Sequence, residues 1–199
     1  MTHSEIETTY AAGVYLVEGI VKDSEIMATL ASQLSRPLAI GKTTIGGRLV
    51  LAPMTFLGHI AFRELLARYG GYGLLFSEMC SARRIPQENR SRSAYFCWRD
   101  EERQQLVMQI FGADPATMAT AARIVEDNGM YGVDLNFGCS VATICKQQSG
   151  AALLKTPDHA VRIVAAVRQA IEIPLFVKFR TGWTDDPAIP VDLARRFES

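Results

Sequence analysis

The residues best placed to do chemistry lie between Val133 and Gly150, in the run VDLNFGCSVATICKQQSG. Val133 and Leu135 alternate with Asp134 and Asn136, and the chain then opens into a loop carrying Gly138, Cys139 and a basic residue, Lys146. A glycine directly before a cysteine at a strand exit lets the backbone turn sharply and present the thiol to a cleft. A thiol holds its proton at neutral pH and can release it as a general acid. Taken alone, the same cysteine also suits a small buried side chain filling a gap beside a loop.

Other polar residues stand at the ends of apolar runs: Met54 and Thr55 after Pro53, Ser77 and Glu78, Gln109, and Lys178 and Arg180. Singly they have plain readings, Gln109 as a satisfied amide and Lys178 as the salt-bridge partner of Glu78. Together, an amide and an ammonium beside a thiol and a Pro-Met turn suit a flat heteroaromatic cofactor. An isoalloxazine ring needs donors toward N1, O2 and O4, and a cation there stabilises its reduced, anionic form. The chain has no GxGxxG loop, which argues against a Rossmann dinucleotide site.

These residues need strands to hold them. Strands are expected over Leu49–Met54, Gly73–Met79, Leu106–Phe111, Val133–Asn136 and Pro174–Phe179. Between them fall a helical pattern over Ile60–Tyr69 closed by Gly70-Gly71, a polar, basic stretch over Ser81–Arg92, and a helix capped by Asp114-Pro115 that runs to about Asn128. A further helix spans Pro157–Ile171, with Ala160, Ile163, Val164 and Val167 on one face, and another begins at Val191. Strands apolar on both faces that alternate with helices define a parallel α/β sheet.

A complete (β/α)8 TIM barrel takes roughly 250 residues. The expectation is therefore a TIM barrel truncated after about its fifth strand-helix unit, since the last helix ends without a C-cap residue; an open five-stranded sheet is the alternative. Residues 39–199 are read as the N-terminal part of that barrel. Residues 1–38 are an N-terminal extension with one short helix over Ser24–Leu34, its inner side formed by Ile26, Met27, Leu30 and Leu34. The β-branched residues around Gly46-Gly47 predict a small hairpin placed to cover the barrel bottom.

Composition sets the remaining bounds. Of 199 residues 48% are hydrophobic, and 21 basic side chains balance 21 acidic ones, giving no electrostatic signature of a nucleic-acid groove beyond modest arginine pairs. Cys80, Cys97, Cys139 and Cys145 form no CxxC pair and have no neighbouring histidines, so no metal site is expected. Free thiols, no apolar run near the roughly 18 residues of a membrane span, and an N-terminus without a signal segment point to a cytoplasmic protein.

The runs LAPMTFLGHIAFREL, LLFSEMCSA, QIFG, DLNFGCSVATICKQQSGAALL and VKFRTGW, in this order, closely resemble the tRNA-dihydrouridine synthase family over about residues 49–199. The most specific element is the asparagine, glycine and cysteine followed by a basic residue and GAALL. The resemblance implies an FMN-dependent TIM-barrel enzyme that reduces uridine in tRNA to 5,6-dihydrouridine, with NADPH as reductant. Cys139 matches the catalytic acid that protonates C5 of uracil while reduced FMN delivers hydride to C6. Pro53, Met54 and Thr55 match the loop against the flavin, Gln109 the amide at its edge, and Lys178 the cation at its pyrimidine side. Asn136 matches a residue near both flavin and target base, and Arg180 falls where it would make a substrate-side contact.

The resemblance further implies a tRNA partner and a monomeric full-length protein. The family's proline after the cysteine is Ser140 here, a change expected to loosen the loop. The strands and helical domain that in the family hold the flavin phosphate and grip tRNA are absent from the sequence, so this chain alone is expected to be inactive. The competing readings are a dihydroorotate dehydrogenase-like flavoenzyme acting on a free pyrimidine, and a non-catalytic fragment or RNA-interaction module. The GAALL run argues against the former.

Overall fold

The computed structural model describes residues 8–11, 14–17, 24–184 and 188–198. At the N-terminal end β1 (Thr8–Ala11) and β2 (Val14–Val17) pair antiparallel, with Thr8 opposite Val17. This ribbon is not among the elements expected above; the weak alternation and the threonines, tyrosines and valines of these residues are the signal for it. Helix α1 (Ser24–Leu34) forms over the expected residues. Met27 and Leu34 are half-buried, but Ile26 and Leu30, expected inward, are about half exposed at 52% and 48%.

A second ribbon follows, β3 (Leu38–Ile40) against β4 (Thr43–Ile45). Its turn lies at Gly41-Lys42 rather than at Gly46-Gly47, because Gly41 takes a left-handed φ of 56° and Thr43 Oγ1 donates to the Ile40 carbonyl at 3.0 Å. Gly46-Gly47 lies beyond the ribbon, where the chain passes Gly73 so closely that a Cβ on Gly73 would stand 2.2 Å from the Gly47 carbonyl oxygen.

The strand-helix repeat then runs β5 (Val50–Leu51), α2 (Ile60–Tyr69), β6 (Leu74–Phe76), β7 (Cys80–Ser81), β8 (Leu106–Phe111), α3 (Pro115–Asp127), β9 (Gly132–Phe137), α4 (Ala142–Lys146), α5 (Pro157–Ala170), β10 (Leu175–Phe179) and α6 (Ala188–Glu198). Pro53, which has no N–H to offer a ladder, and the turn after it leave the first strand shorter than expected. The expected helix boundaries have visible causes. Asp114 Oδ2 accepts from Thr117 N at 2.8 Å ahead of Pro115, and Gly70 closes α2 at φ 69°, its N–H donating to the Leu66 carbonyl.

The strands β5, β6, β8, β9 and β10 are all parallel and neighbour one another in chain order, with β7 added beside the end of β8. A doubly wound sheet would reverse its order at a switch point, whereas unbroken sequential order is that of a TIM barrel. This is the half-barrel expected from the sequence.

Alternation gives the sheet two unlike faces. On one, Leu75, Leu106, Met108, Ile110, Val133 and Leu135 are buried against α3 and α5, whose Met118, Ala121, Val125, Ile163 and Val167 are fully buried. Helix α6 joins this layer through Leu193, and through Phe197, whose ring meets Phe137 and Phe179 edge-on at 5.8 and 5.5 Å. On the other face, the barrel lumen, Leu74, Phe76, Val107 and Phe176 pack with Ile45 of β4. The β3–β4 ribbon thus covers the barrel floor, and the Thr43 hydroxyl and the Tyr131 hydroxyl, 2.6 Å apart, hydrogen-bond there.

Candidate active site

Two residues farther along each strand the lumen becomes polar. Gln109 on β8, Asp134 and Asn136 on β9 and Lys178 on β10 share the lumen face, with Gln109 opposite Asp134 and Asn136 opposite Lys178. Beyond them Cys139, half-buried, sits at the rim of a cleft of about 190 Å³ lined also by Pro53, Thr55, Gln109, Asn136, Lys178 and Arg180. Met79 and Gly138 complete the lining; Met79 had no role in the sequence reading. Met54 does not line the cleft. Its carbonyl instead closes the turn after it, accepting from the Gly58 N–H at 2.8 Å.

The backbone around Cys139 is tied on every side. Asn136 Oδ1 accepts from the Gly138 and Cys139 N–H groups at 3.2 and 2.9 Å, and the Cys139 carbonyl accepts from Ala151 N at 2.9 Å. Gly150 has φ 62°, and a Cβ there would meet the Cys139 oxygen at 2.5 Å, so only glycine admits this approach. Arg180 Nε donates to the Gly138 carbonyl at 2.6 Å and Nη2 to Ser140 Oγ at 3.2 Å. The loosening expected from Ser140 is therefore not seen: its hydroxyl gains a bond to Arg180 that proline could not make.

The other thiols are placed elsewhere. Cys145 Sγ points to the Cys139 carbonyl at 3.6 Å and is not part of the cleft lining, and Lys146 is exposed on α4. Cys80 is buried, and burial pushes its thiol far up; burial raises Cys97 as well.

Beneath the thiol runs a chain of side-chain hydrogen bonds. Gln109 Nε2 donates to Asp134 Oδ2 at 2.6 Å, Asn136 Nδ2 donates to Gln109 Oε1 at 2.9 Å, and Ser77 Oγ accepts the Gln109 N–H at 2.9 Å. Burial pushes the Asp134 carboxyl up to about 7, against the lowering effect of the Gln109 bond and the Lys178 charge. The sequence reading named Asp134 but gave it no role, because its importance depends on the cross-strand register with Gln109.

This shift has a measurable consequence. Because the folded state binds the Asp134 proton more tightly than the unfolded chain does, stability falls as pH rises from about 4 to about 7, by up to about 1.4 kcal/mol per pH unit. Urea unfolding across that window should show this component in the wild type and lose it in Asp134→Asn. Equal pH slopes for the two proteins would contradict it.

The wall formed by Pro53–Gly58 is braced from behind. Glu78 Oε1 accepts from the Phe56 N–H at 2.5 Å, holding Phe56 at a left-handed φ of 66°; Glu78 therefore serves this turn, and no Lys178–Glu78 ion pair forms. Arg63 of α2, 1% exposed, donates through Nη1 to the Gly58 carbonyl at 2.7 Å and through Nη2 to Glu102 at 2.8 Å and to the Cys97 carbonyl at 2.9 Å. Glu102 also receives Arg99 at 3.1 Å. Sequence reasoning missed Arg63; its signal is a cation three residues after Ile60 on the helix face that turns inward.

The donor set fits a flat, acceptor-rich ring. Gln109 retains a second amide hydrogen and a second lone pair, and the exposed Lys178 ammonium stands on the same rim. Among the described residues no group of three or more His, Cys, Asp or Glu is arranged to hold a metal, and no helix is long and apolar enough to cross a membrane.

A sequentially ordered parallel sheet, with an apolar floor and a polar mouth bearing a thiol at the strand ends, places the chain among the TIM-barrel enzymes. Solved structures agree on the fold. A 2-naphthoyl-CoA reductase complex superposes with TM-score 0.57 at 14% identity, covering 84% of this chain and 39% of that one, and TcOYE with pHBA with TM-score 0.54 at 13%, covering 84% and 73%.

Residues 50–199 match the family model described as Dihydrouridine synthase (Dus), and the chain belongs to this family of oxidoreductases. A probable tRNA-dihydrouridine synthase of Rhizobium leguminosarum bv. phaseoli is 35% identical over 161 residues, 78% of this chain and 48% of that protein. The tRNA-dihydrouridine synthase B of Vibrio vulnificus is 36% identical over 162 residues, 81% and 49% respectively. The chain spans about half the length of the curated relatives it matches.

Proposed function

We propose that the protein is an FMN-dependent tRNA-dihydrouridine synthase, reducing uridine in tRNA to 5,6-dihydrouridine with NADPH as the reductant. The observation that carries this reading is Cys139 fixed at the rim of a cleft that also presents the buried Gln109 and Asn136 amides and the exposed Lys178. Family membership supports it.

Pro53 and Thr55 would hold one side of the flavin, with the Met54 carbonyl closing the turn that shapes this wall, Gln109 and Asn136 would bond its edge, and Lys178 would place positive charge at its pyrimidine end. When bound, the reduced flavin supplies the hydride that adds at C6 of the uracil ring. Cys139 holds the proton that goes to C5, and the tied backbone on both sides of it keeps the residue at the cleft rim. Asn136 contacts the target base as well as the flavin, and Arg180 reaches the substrate from the rim while bracketing the thiol loop. A tRNA substrate supports a cytoplasmic setting for the full-length protein.

Visible absorbance of the purified full-length protein tests for the flavin, and oxidation of NADPH on adding unmodified tRNA, with dihydrouridine detected in the product, tests the reaction. Oxidation that requires tRNA is expected. A colourless full-length protein, or one that turns over a free pyrimidine such as dihydroorotate and not tRNA, would overturn the proposal.

A further inference from the structure

We infer that Asp134 is a positioning residue for Cys139, acting through the side-chain amides of Gln109 and Asn136. The inference rests on the reading of Cys139 as the proton donor. The hydrogen-bond chain can run in one direction only. Its upper end is set by the Gly138 and Cys139 backbone N–H groups, which can only donate, so Asn136 must turn Oδ1 toward them. That leaves Asn136 Nδ2 facing Gln109, which must answer with Oε1, and Gln109 Nε2 then faces Asp134. Reversing both amides would set donor against donor beside Cys139, and reversing one would set like against like at their junction.

Asp134 is thus the acceptor that ends the chain. It is 1% exposed, Gln109 is 2% exposed and Asn136 9%, so water does not readily replace any partner. With no acceptor at position 134, the Gln109 amide loses the contact that fixes its rotation. Asn136 then loses the fixed partner that keeps its oxygen under the thiol loop. A carboxylate in the lumen is poor material for a core. Its place at the far end of a directional chain that stops at the proposed proton donor is what points to positioning rather than packing.

Three substitutions separate the roles. Asp134→Leu keeps the branched shape and removes the acceptor, Asp134→Asn keeps an acceptor oxygen, and Asp134→Ser shortens the side chain so that it stops short of Gln109. In the full-length protein with tRNA and NADPH, Asp134→Leu should lower kcat by roughly 10-fold to 100-fold while KM for tRNA stays within about twofold. The Gly138 and Cys139 amide proton shifts, read by NMR without turnover, should move in the same variant. Asp134→Asn should restore both readouts.

If Asp134→Leu does not fold, Asp134→Ser serves with the same expectations. A folded variant lacking the acceptor, with wild-type kcat and unmoved Gly138 and Cys139 amide shifts, would overturn the inference, even if its Tm had fallen. Because the amide shifts need no catalysis, they distinguish the two failures: moved shifts in a protein that never reduces uridine sink the functional reading alone. Unmoved shifts in a protein that does reduce uridine sink the positioning role alone.

Discussion

Replacing Cys139 by alanine is expected to lower uridine reduction by on the order of 10² to 10⁴, the usual contribution of a positioned general acid, while leaving flavin content unchanged. The thiol is the one described cysteine in the cleft lining, and the Lys178 ammonium, the other proton-bearing tip on that rim, is assigned to the flavin's pyrimidine end. Cys145, the nearest rival in sequence, directs its sulfur at the back of the Cys139 loop, and its replacement should cost no more than a few-fold. Single-turnover oxidation of the reduced protein by excess tRNA reads the step directly, and near-normal rates in Cys139→Ala would remove this residue from the mechanism.

The largest effect on stability is expected at Arg63 and Glu102. Both side chains are 1% exposed; without Glu102 the buried Arg63 charge is left with carbonyl partners alone, and without Arg63 the buried Glu102 keeps only its contacts to Arg99. Arg63→Met or Glu102→Gln should therefore cost about 3–5 kcal/mol in urea unfolding, the range for breaking a buried pair. Arg63 also carries the Gly58 carbonyl, so Arg63→Met should loosen the Pro53–Gly58 wall and reduce bound flavin, whereas Glu102→Gln leaves that contact in place. A loss below about 1 kcal/mol in both single variants would show the pair to be solvated rather than buried.

Much of this architecture was legible because its causes are local. The apolar run of β8, the Asp114-Pro115 start of α3 and the inward face of α5 each depend on neighbours a few residues away, and each formed where expected. Partners were not legible. Periodicity places Glu78 and Lys178 near one mouth but says nothing of the Phe56 N–H, which takes Glu78 because the turn after Pro53 brings that group within reach. The hairpin turn went to Gly41 rather than to the glycine pair because a left-handed residue was needed there, while the pair borders a close chain crossing. The Gln109–Asp134 contact joins residues 25 apart in sequence through a cross-strand register, and no local signal encodes that register.

Because all the sheet strands point the same way, a residue's rung along the barrel axis tells more about the outcome of a substitution than its place in the chain. Val107 and Gln109 are separated by one residue, yet the first belongs to the buried apolar floor with Ile45 and the second to the polar mouth with Asn136. Asn136 and Lys178, from different strands, stand on one rung. Variation in the lower rungs should show itself as heat sensitivity with chemistry intact, and variation in the upper rungs as the reverse. The boundary between the two falls within a single step of each strand's pleat.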